Sequence, residues 1–354
     1  MFWRSTLIGL GFGLLILILH KPLGNACFSL LSASESVEEL ALQYFSIRVL
    51  AAPAVIMLMA MRGWFFGMQD AISPMILTIA TNVLNIIISW HLVVNQDMGV
   101  IGVARGTMIA QWISLGIALM IIIYKHRKDV ILYFDKSILQ LKEMTRFAEV
   151  NRDMFIRNIG MILVFSFFTD YSSQVNDDYL AINQMLLQLF YFTSYAVDGF
   201  AYASESLVGK YLGAVKLESV YEVIKKCLTY GLGLGTLFAV LYLFIGKQFL
   251  SLMTTNMVLI NAAQPYLIWL ALVSVAGALA FIWDGVYSGA TASKELRDSM
   301  CLSVIIFFAI HFALKSIYPT HAIWAAMMGF MLARSLFQWI LFRTRIKRSW
   351  ETMN

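Results

Sequence analysis

Residues Tyr44–Gly67 read YFSIRVLAAPAVIMLMAMRGWFFG, and the run from Val49 to Met61 contains no charged side chain. A stretch of this kind matches the roughly 20 apolar residues that a helix needs to cross a hydrocarbon core about 30 Å thick. A helix is also the only open-chain element that satisfies its own backbone in lipid. Nine further stretches read the same way. The ten have approximate limits 5–24, 43–68, 71–94, 100–124, 154–175, 179–207, 227–250, 262–290, 299–318 and 320–342. The first opens at the N-terminus, but the His20-Lys21-Pro22 that follows it lacks the small-residue signature of signal-peptide cleavage, so it reads as a retained span.

The composition agrees. Of 354 residues, 60% are hydrophobic and 13% charged, against about 25% charged in soluble domains. A soluble fold is excluded, and an all-α polytopic membrane protein is predicted. The net charge of +5 does not point to nucleic acid, because the basic residues gather in short loops. Seventeen of the 26 Lys and Arg fall on the side that also holds the stretch 125–146 and both termini, and three (Lys21, Lys247 and Lys315) fall on the other. The positive-inside rule therefore predicts both termini in the cytoplasm. Cys27, Cys227 and Cys301 are too few and too scattered for a disulfide framework or a metal site. The expected division is a four-span lobe (1–124), a linker read as a helix on the inner surface (125–153), a six-span lobe (154–342) and a basic tail (343–354).

The two halves share a register. Arg62-Gly63-x-x-x-Gly67 and Asp284-Gly285-x-x-x-Gly289 lie 222 residues apart, and the same offset pairs Tyr44 with Tyr266 and Leu50 with Leu272. Spans one to four thus read as a parallel repeat of spans seven to ten, which predicts two lobes around a central cavity. Spans five and six have no counterpart in the first half.

Val197-Asp198-Gly199-Phe200-Ala201-Tyr202-Ala203-x-Glu205, then Gly209-Lys210-Tyr211-Leu212-Gly213-Ala214, resembles the DinF-like branch of the multidrug and toxic compound extrusion (MATE) transporters. Asp284–Thr291, the Tyr44–Pro53 pattern and Asn82-x-Leu84-Asn85-Ile86 resemble the same branch. The resemblance implies a twelve-helix, two-lobed antiporter that exports amphipathic, often cationic compounds against H⁺ or Na⁺. It further implies that the first two of twelve helices are absent here, together with an acidic cation site on the first. It implies a bacterial inner-membrane location, monomeric action, small-molecule substrates and the lipid bilayer as partners, and no cofactor beyond the coupling ion.

No phosphate-cradling G-x-x-x-x-G-K-[ST] occurs, so ATP-driven transport by this chain is not expected. Ion coupling needs an ionisable group within the membrane, where such groups are rare. Asp198, flanked by Tyr195, Gly199 and Tyr202, is read either as a cation-binding carboxylate or as a structural one. Glu205 lies two turns further on the same face, about 10 Å away, and either continues an ion path or pairs with Lys210. Asp284, Asn85 and Thr107 complete the candidate coupling set. Arg62 and Asp284 stand at equivalent repeat positions, which suggests an inner gate at the lobe interface with Gly63, Gly67, Gly285 and Gly289; the alternative is pairing inside each lobe. Met57, Met61, Trp64, Tyr191, Tyr195, Tyr202 and Phe281 are the candidate substrate-cavity residues, because flat or flexible apolar walls accept many shapes. A lipid-linked-precursor flippase is the second reading. It would need phosphate-binding cations, for which only Arg62, Arg105, Arg157 and Arg334 are available. An inactive fragment is the third.

Overall fold

The structure, a computed structural model, describes residues 2–28, 35–127 and 141–351, and among them every regular element is helical. They form two compact units, Met1–Met144 and Thr145–Asn354.

In the first unit, α1 (Phe2–Phe28), α2 (Glu35–Arg48), α3 (Ala52–Gly67), α4 (Ile72–Trp90) and α5 (Gly99–Lys125) surround a core of Leu58, Met61, Phe65, Leu77, Leu115 and Ala118. A short 3-10 turn over Val49–Ala51 joins α2 to α3, where Pro53 at the start of α3 sits at a position that needs no backbone donor. Helices α4 and α5 are bound by polar pairs. Thr81 donates to Ser114 at 2.8 Å, and the Asn85 amide donates to Thr107 at 2.7 Å. Gly106 lies so close to Ser89 that a side chain there would collide with the Ser89 backbone.

The second unit holds α6 (Leu141–Val175) from Thr145 onward, α7 (Asp177–Gly213), α8 (Leu217–Met253), the short α9 (Met257–Ala263), α10 (Leu267–Gly289), α11 (Ser293–Leu314), α12 (Pro319–Leu341) and the terminal α13 (Lys347–Glu351). Asn176 caps α7 by accepting a hydrogen bond from the Tyr179 amide at 2.7 Å, with Asp177 and Asp178 in the first turn. Both features stabilise a helix N-terminus. Helix α8 is interrupted at Ile245 (φ −123°, ψ 16°), beside Gly246.

Nine helical segments among the described residues are long and apolar enough to cross a membrane. The tenth expected span, α7, has 37 residues, about 55 Å at 1.5 Å per residue. Asn183, Thr193, Asp198, Ser204 and Glu205 hold its hydropathy below that of the others. The protein interior absorbs several of these groups. Asn183 accepts from Trp324 of α12 at 2.9 Å and donates to Ser172 of α6 at 2.7 Å. Thr193 meets the Tyr242 hydroxyl of α8 at 2.9 Å. Helix α7 packs against α8 and α10, so the least apolar span is an inner one.

One expected boundary is corrected. Residues 141–153, placed in the linker by their charges, are the first part of α6. A helix protruding from the hydrocarbon continues with charged residues, because water solvates them without breaking backbone hydrogen bonds. Residues 128–140, the rest of the expected surface helix, lie outside the described residues.

The repeat extends into the packing. Gly13 packs on Pro53 and Gly235 on Val275; Gly24 meets Phe45 and Gly246 meets Leu267. Each pair is related by the 222-residue offset. The turns that end α3 and α10 also match. Met68, Gln69 and Asp70 amides donate to Trp64, Phe66 and Phe65 carbonyls, just as Ala290, Thr291 and Ala292 donate to Val286, Ser288 and Tyr287. Gln69 (φ 61°) and Thr291 (φ 56°) both occupy the left-handed region at the same repeat position.

Candidate functional site

The second unit contains a buried ionic cluster built on three helices. The Asp284 carboxylate of α10 accepts from Arg157 of α6, from Arg334 of α12 at 2.6 Å, and from the Gln338 amide, one turn beyond Arg334, at 2.6 Å. Arg334 is fully buried, and its guanidinium lies 5.5 Å from the Phe330 ring and 5.8 Å from the Phe281 ring. A lone charge there would be strongly unfavourable, and the Asp284 carboxylate that Arg334 shares with Arg157 offsets it. Arg157, Arg334 and Gln338 were not anticipated as partners of Asp284. The available signal was that an acid in a span needs a cation, with Arg334 and Gln338 four apart on one helix face.

Asp198 stands differently. It is half-buried on α7 and has no hydrogen-bond or ion-pair partner among the described residues. Seven residues on, Glu205 is also half-buried, and its backbone lies against Gly289. Tyr195 and Tyr202, on the same helix, are 68% and 46% exposed and so available to a solute or to lipid. Tyr191 and Phe281 pack partly against the core.

Of the two readings of Asp284, the structure shows pairing inside its own unit, with Arg157 and Arg334, while Arg62 lies on α3 with a buried Nε that lacks a partner among the described residues. Gly285 and Gly289 are helix-packing positions within the second unit. A Cβ at either would collide with α7 backbone at Ala201 or Glu205. Met61 is also corrected, because it is fully buried in the first unit's core and lines no open surface. Met57 and Trp64 pack beside that core, partly buried. Asn85 and Thr107 bond to each other, so the structure brings this pair together in the first unit.

A feature absent from the sequence reading lies between α3 and α4. Asp70 is almost fully enclosed and accepts from Lys125 at 2.8 Å, His126 at 3.1 Å and both the amide and hydroxyl of Ser73. Burial favours its neutral form, but the hydrogen bonds from Lys125, Ser73 and His126 prevail and hold its carboxyl well below the usual carboxylate range.

Comparison with known proteins bears directly on this arrangement. The MatE family model matches residues 1–91 and 154–317. The chain belongs to the MATE family. It is 31% identical to the DNA damage-inducible protein F of Escherichia coli over 346 residues, covering 94% of this chain and 72% of that protein. It is 24% identical to a probable multidrug resistance protein NorM of Bacillus cereus, covering 82% of this chain and 65% of the relative. Across the curated relatives it matches, the chain spans 50% to 72% of their lengths. A crystal structure of a mutant of the Vibrio cholerae MATE transporter VcmN superposes with a TM-score of 0.86 over 98% of this chain and 78% of that one, at 16% identity. The MATE relatives are transporters rather than enzymes, and the MATE fold accounts for the two helical units of this multi-pass membrane protein.

Proposed function

We propose that this MATE chain is a secondary active efflux transporter of the bacterial inner membrane, exporting amphipathic or cationic compounds in exchange for H⁺ or Na⁺. Both termini face the cytoplasm, the unit of action is a monomer, and no cofactor takes part beyond the coupling ion. The observation that carries the reading is the contrast between two acids of the second unit. Asp284 is ion-paired with Arg157 and Arg334, whereas Asp198 has no ion-pair partner among the described residues. A carboxylate in a span can remain charged only with a bound cation, and otherwise takes up a proton. Its occupancy is therefore free to alternate with the transport cycle, and Glu205 extends an ion path toward the end of α7. The exposed Tyr195 and Tyr202 rings beside Asp198 offer cation–π faces to a substrate.

The flippase reading is less well supported. Two of its four candidate phosphate-binding arginines, Arg157 and Arg334, are already committed to Asp284.

The test is export of a cationic dye from proteoliposomes under an imposed H⁺ or Na⁺ gradient. Asp198→Asn is expected to abolish gradient-driven export while leaving protein yield and helicity intact. Unchanged export from that variant, or export indifferent to any ion gradient, would overturn the proposal.

A further inference from the structure

As far as Glu351, the expected basic tail (343–354) continues α12 and packs against the second unit. A wide π-helical turn over Phe342–Ile346 leads from α12 into α13. Phe342, Ile346 and Trp350, each four residues from the next, are all buried. They share a hydrophobic cluster with Leu217 and Val220 of α8, and the Phe342 ring lies 5.1 Å from Trp283 and 5.5 Å from Trp350. With that face turned inward, Arg343, Arg345, Lys347 and Arg348 are exposed. Asp298 pairs with Arg345 at 3.3 Å, whereas Arg343 has no carboxylate within ion-pair distance among the described residues.

Arg343 ends an exposed apolar row on α12. Leu332, Leu336 and Trp339 are 48%, 54% and 42% exposed, and the steps from Leu332 through Leu336, Trp339 and Arg343 to Lys347 are four, three, four and four residues. That spacing keeps them on one helix face. The Arg343 guanidinium lies 4.4 Å from the centre of the Trp339 ring, and tryptophan collects where hydrocarbon meets headgroups. We propose that this row binds one anionic phospholipid, with an acyl chain along Leu332, Leu336 and Trp339 and the phosphate held by Arg343 and Lys347. The order along the helix, apolar side chains and then cations, complements the order along such a lipid, hydrocarbon and then anion. A soluble anion would make no use of the apolar part. A guanidinium matches phosphate oxygens with paired donors, and basic clusters that directly follow a membrane span attract anionic lipid. Anchoring of Phe342, Ile346 and Trp350 fixes the cations in advance, which lowers the ordering cost of binding. The inference rests on the packing of the C-terminal segment, and neither the transport reading nor the side of the membrane enters it.

Tryptophan quenching tests it. The full chain in detergent, at about 0.15 M salt so that distant charges are screened, is titrated with phosphatidylglycerol or phosphatidylcholine brominated on the acyl chains. The part of the quenching that disappears in Trp339→Phe reports this site. That part is expected to reach half-maximum at a phosphatidylglycerol concentration at least about fivefold below that of phosphatidylcholine. Arg343→Gln with Lys347→Gln should weaken phosphatidylglycerol binding about twentyfold, near fivefold for each cation lost. Arg345→Gln with Arg348→Gln removes the same charge from the same segment and should weaken it far less. Circular dichroism verifies that both double variants are folded, and the comparison of the two lipids on the parent chain needs no variant of the cations. Glycerol 1-phosphate at the lipid's concentration should displace nothing. Quenching unaffected by Trp339→Phe, equal binding of the two lipids, equal losses in the two double variants, or displacement by glycerol 1-phosphate would each overturn the proposal.

Discussion

Asp284 and Asp70 are both enclosed acids, and each is stable for the same reason: cations and donors converge on its oxygens. For Asp70, which lies outside the spans, this has a measurable pH signature. Its folded-state pKa is depressed relative to an unfolded value of about 3.9. The associated stabilisation is therefore fully present above about pH 4 and is lost as the pH falls from there toward the folded-state pKa. Asp70→Asn is expected to lower the thermal unfolding midpoint in detergent at pH 7 and to flatten its decline between pH 5 and the acid limit of measurement. An identical acid slope in the variant and the parent would contradict this. At this scale the sequence was only partly legible. An acid such as Asp284 stands out within an apolar run, but its partners Arg157 and Arg334 are 127 and 50 residues away, and nothing in the local pattern links them.

The same glycine motif does opposite things in the two units, and alanine substitution distinguishes them. In α10, Gly285→Ala or Gly289→Ala places a methyl group against α7 backbone, and such overpacking costs about 1–3 kcal/mol. In α3, Gly63→Ala or Gly67→Ala meets open space, and the gain in helix propensity should stabilise the purified chain by up to about 1 kcal/mol. Thermal unfolding of the four variants checks both signs, and matching effects in the two helices would be inconsistent with the packing described. The helices themselves were readable from runs of apolar residues, and the repeat from the spacing of Tyr44, Leu50, Gly63 and Gly67. Their full lengths were not. Residues 141–153 and the ends of α7 and α8 carry charges that resemble loop residues, and only backbone hydrogen bonding identifies them as helix. Which glycine pair meets a neighbouring helix was equally hidden, since it depends on which helix arrives from elsewhere in the fold.

For the molecule as a whole, the proposed ten crossings and the bias of Lys and Arg predict one orientation. On a background without native cysteines, Asp177→Cys, at the start of α7, should react with a membrane-impermeant thiol reagent from outside intact cells. Val215→Cys, between α7 and α8, should react only after the membrane is opened. The reverse pattern would invert the proposed topology. Architecture at this scale was legible because lipid tolerates few chain designs, whereas the coupling chemistry depends on which acid lacks a counter-charge, a property of the assembled helices. That coupling is tested most directly by ion release. When a cationic substrate is added to the detergent-solubilised chain, the wild type should release a proton or a bound Na⁺, and Asp198→Asn should release neither. Equal release from the two proteins would show that Asp198 is not the residue that exchanges an ion for cargo.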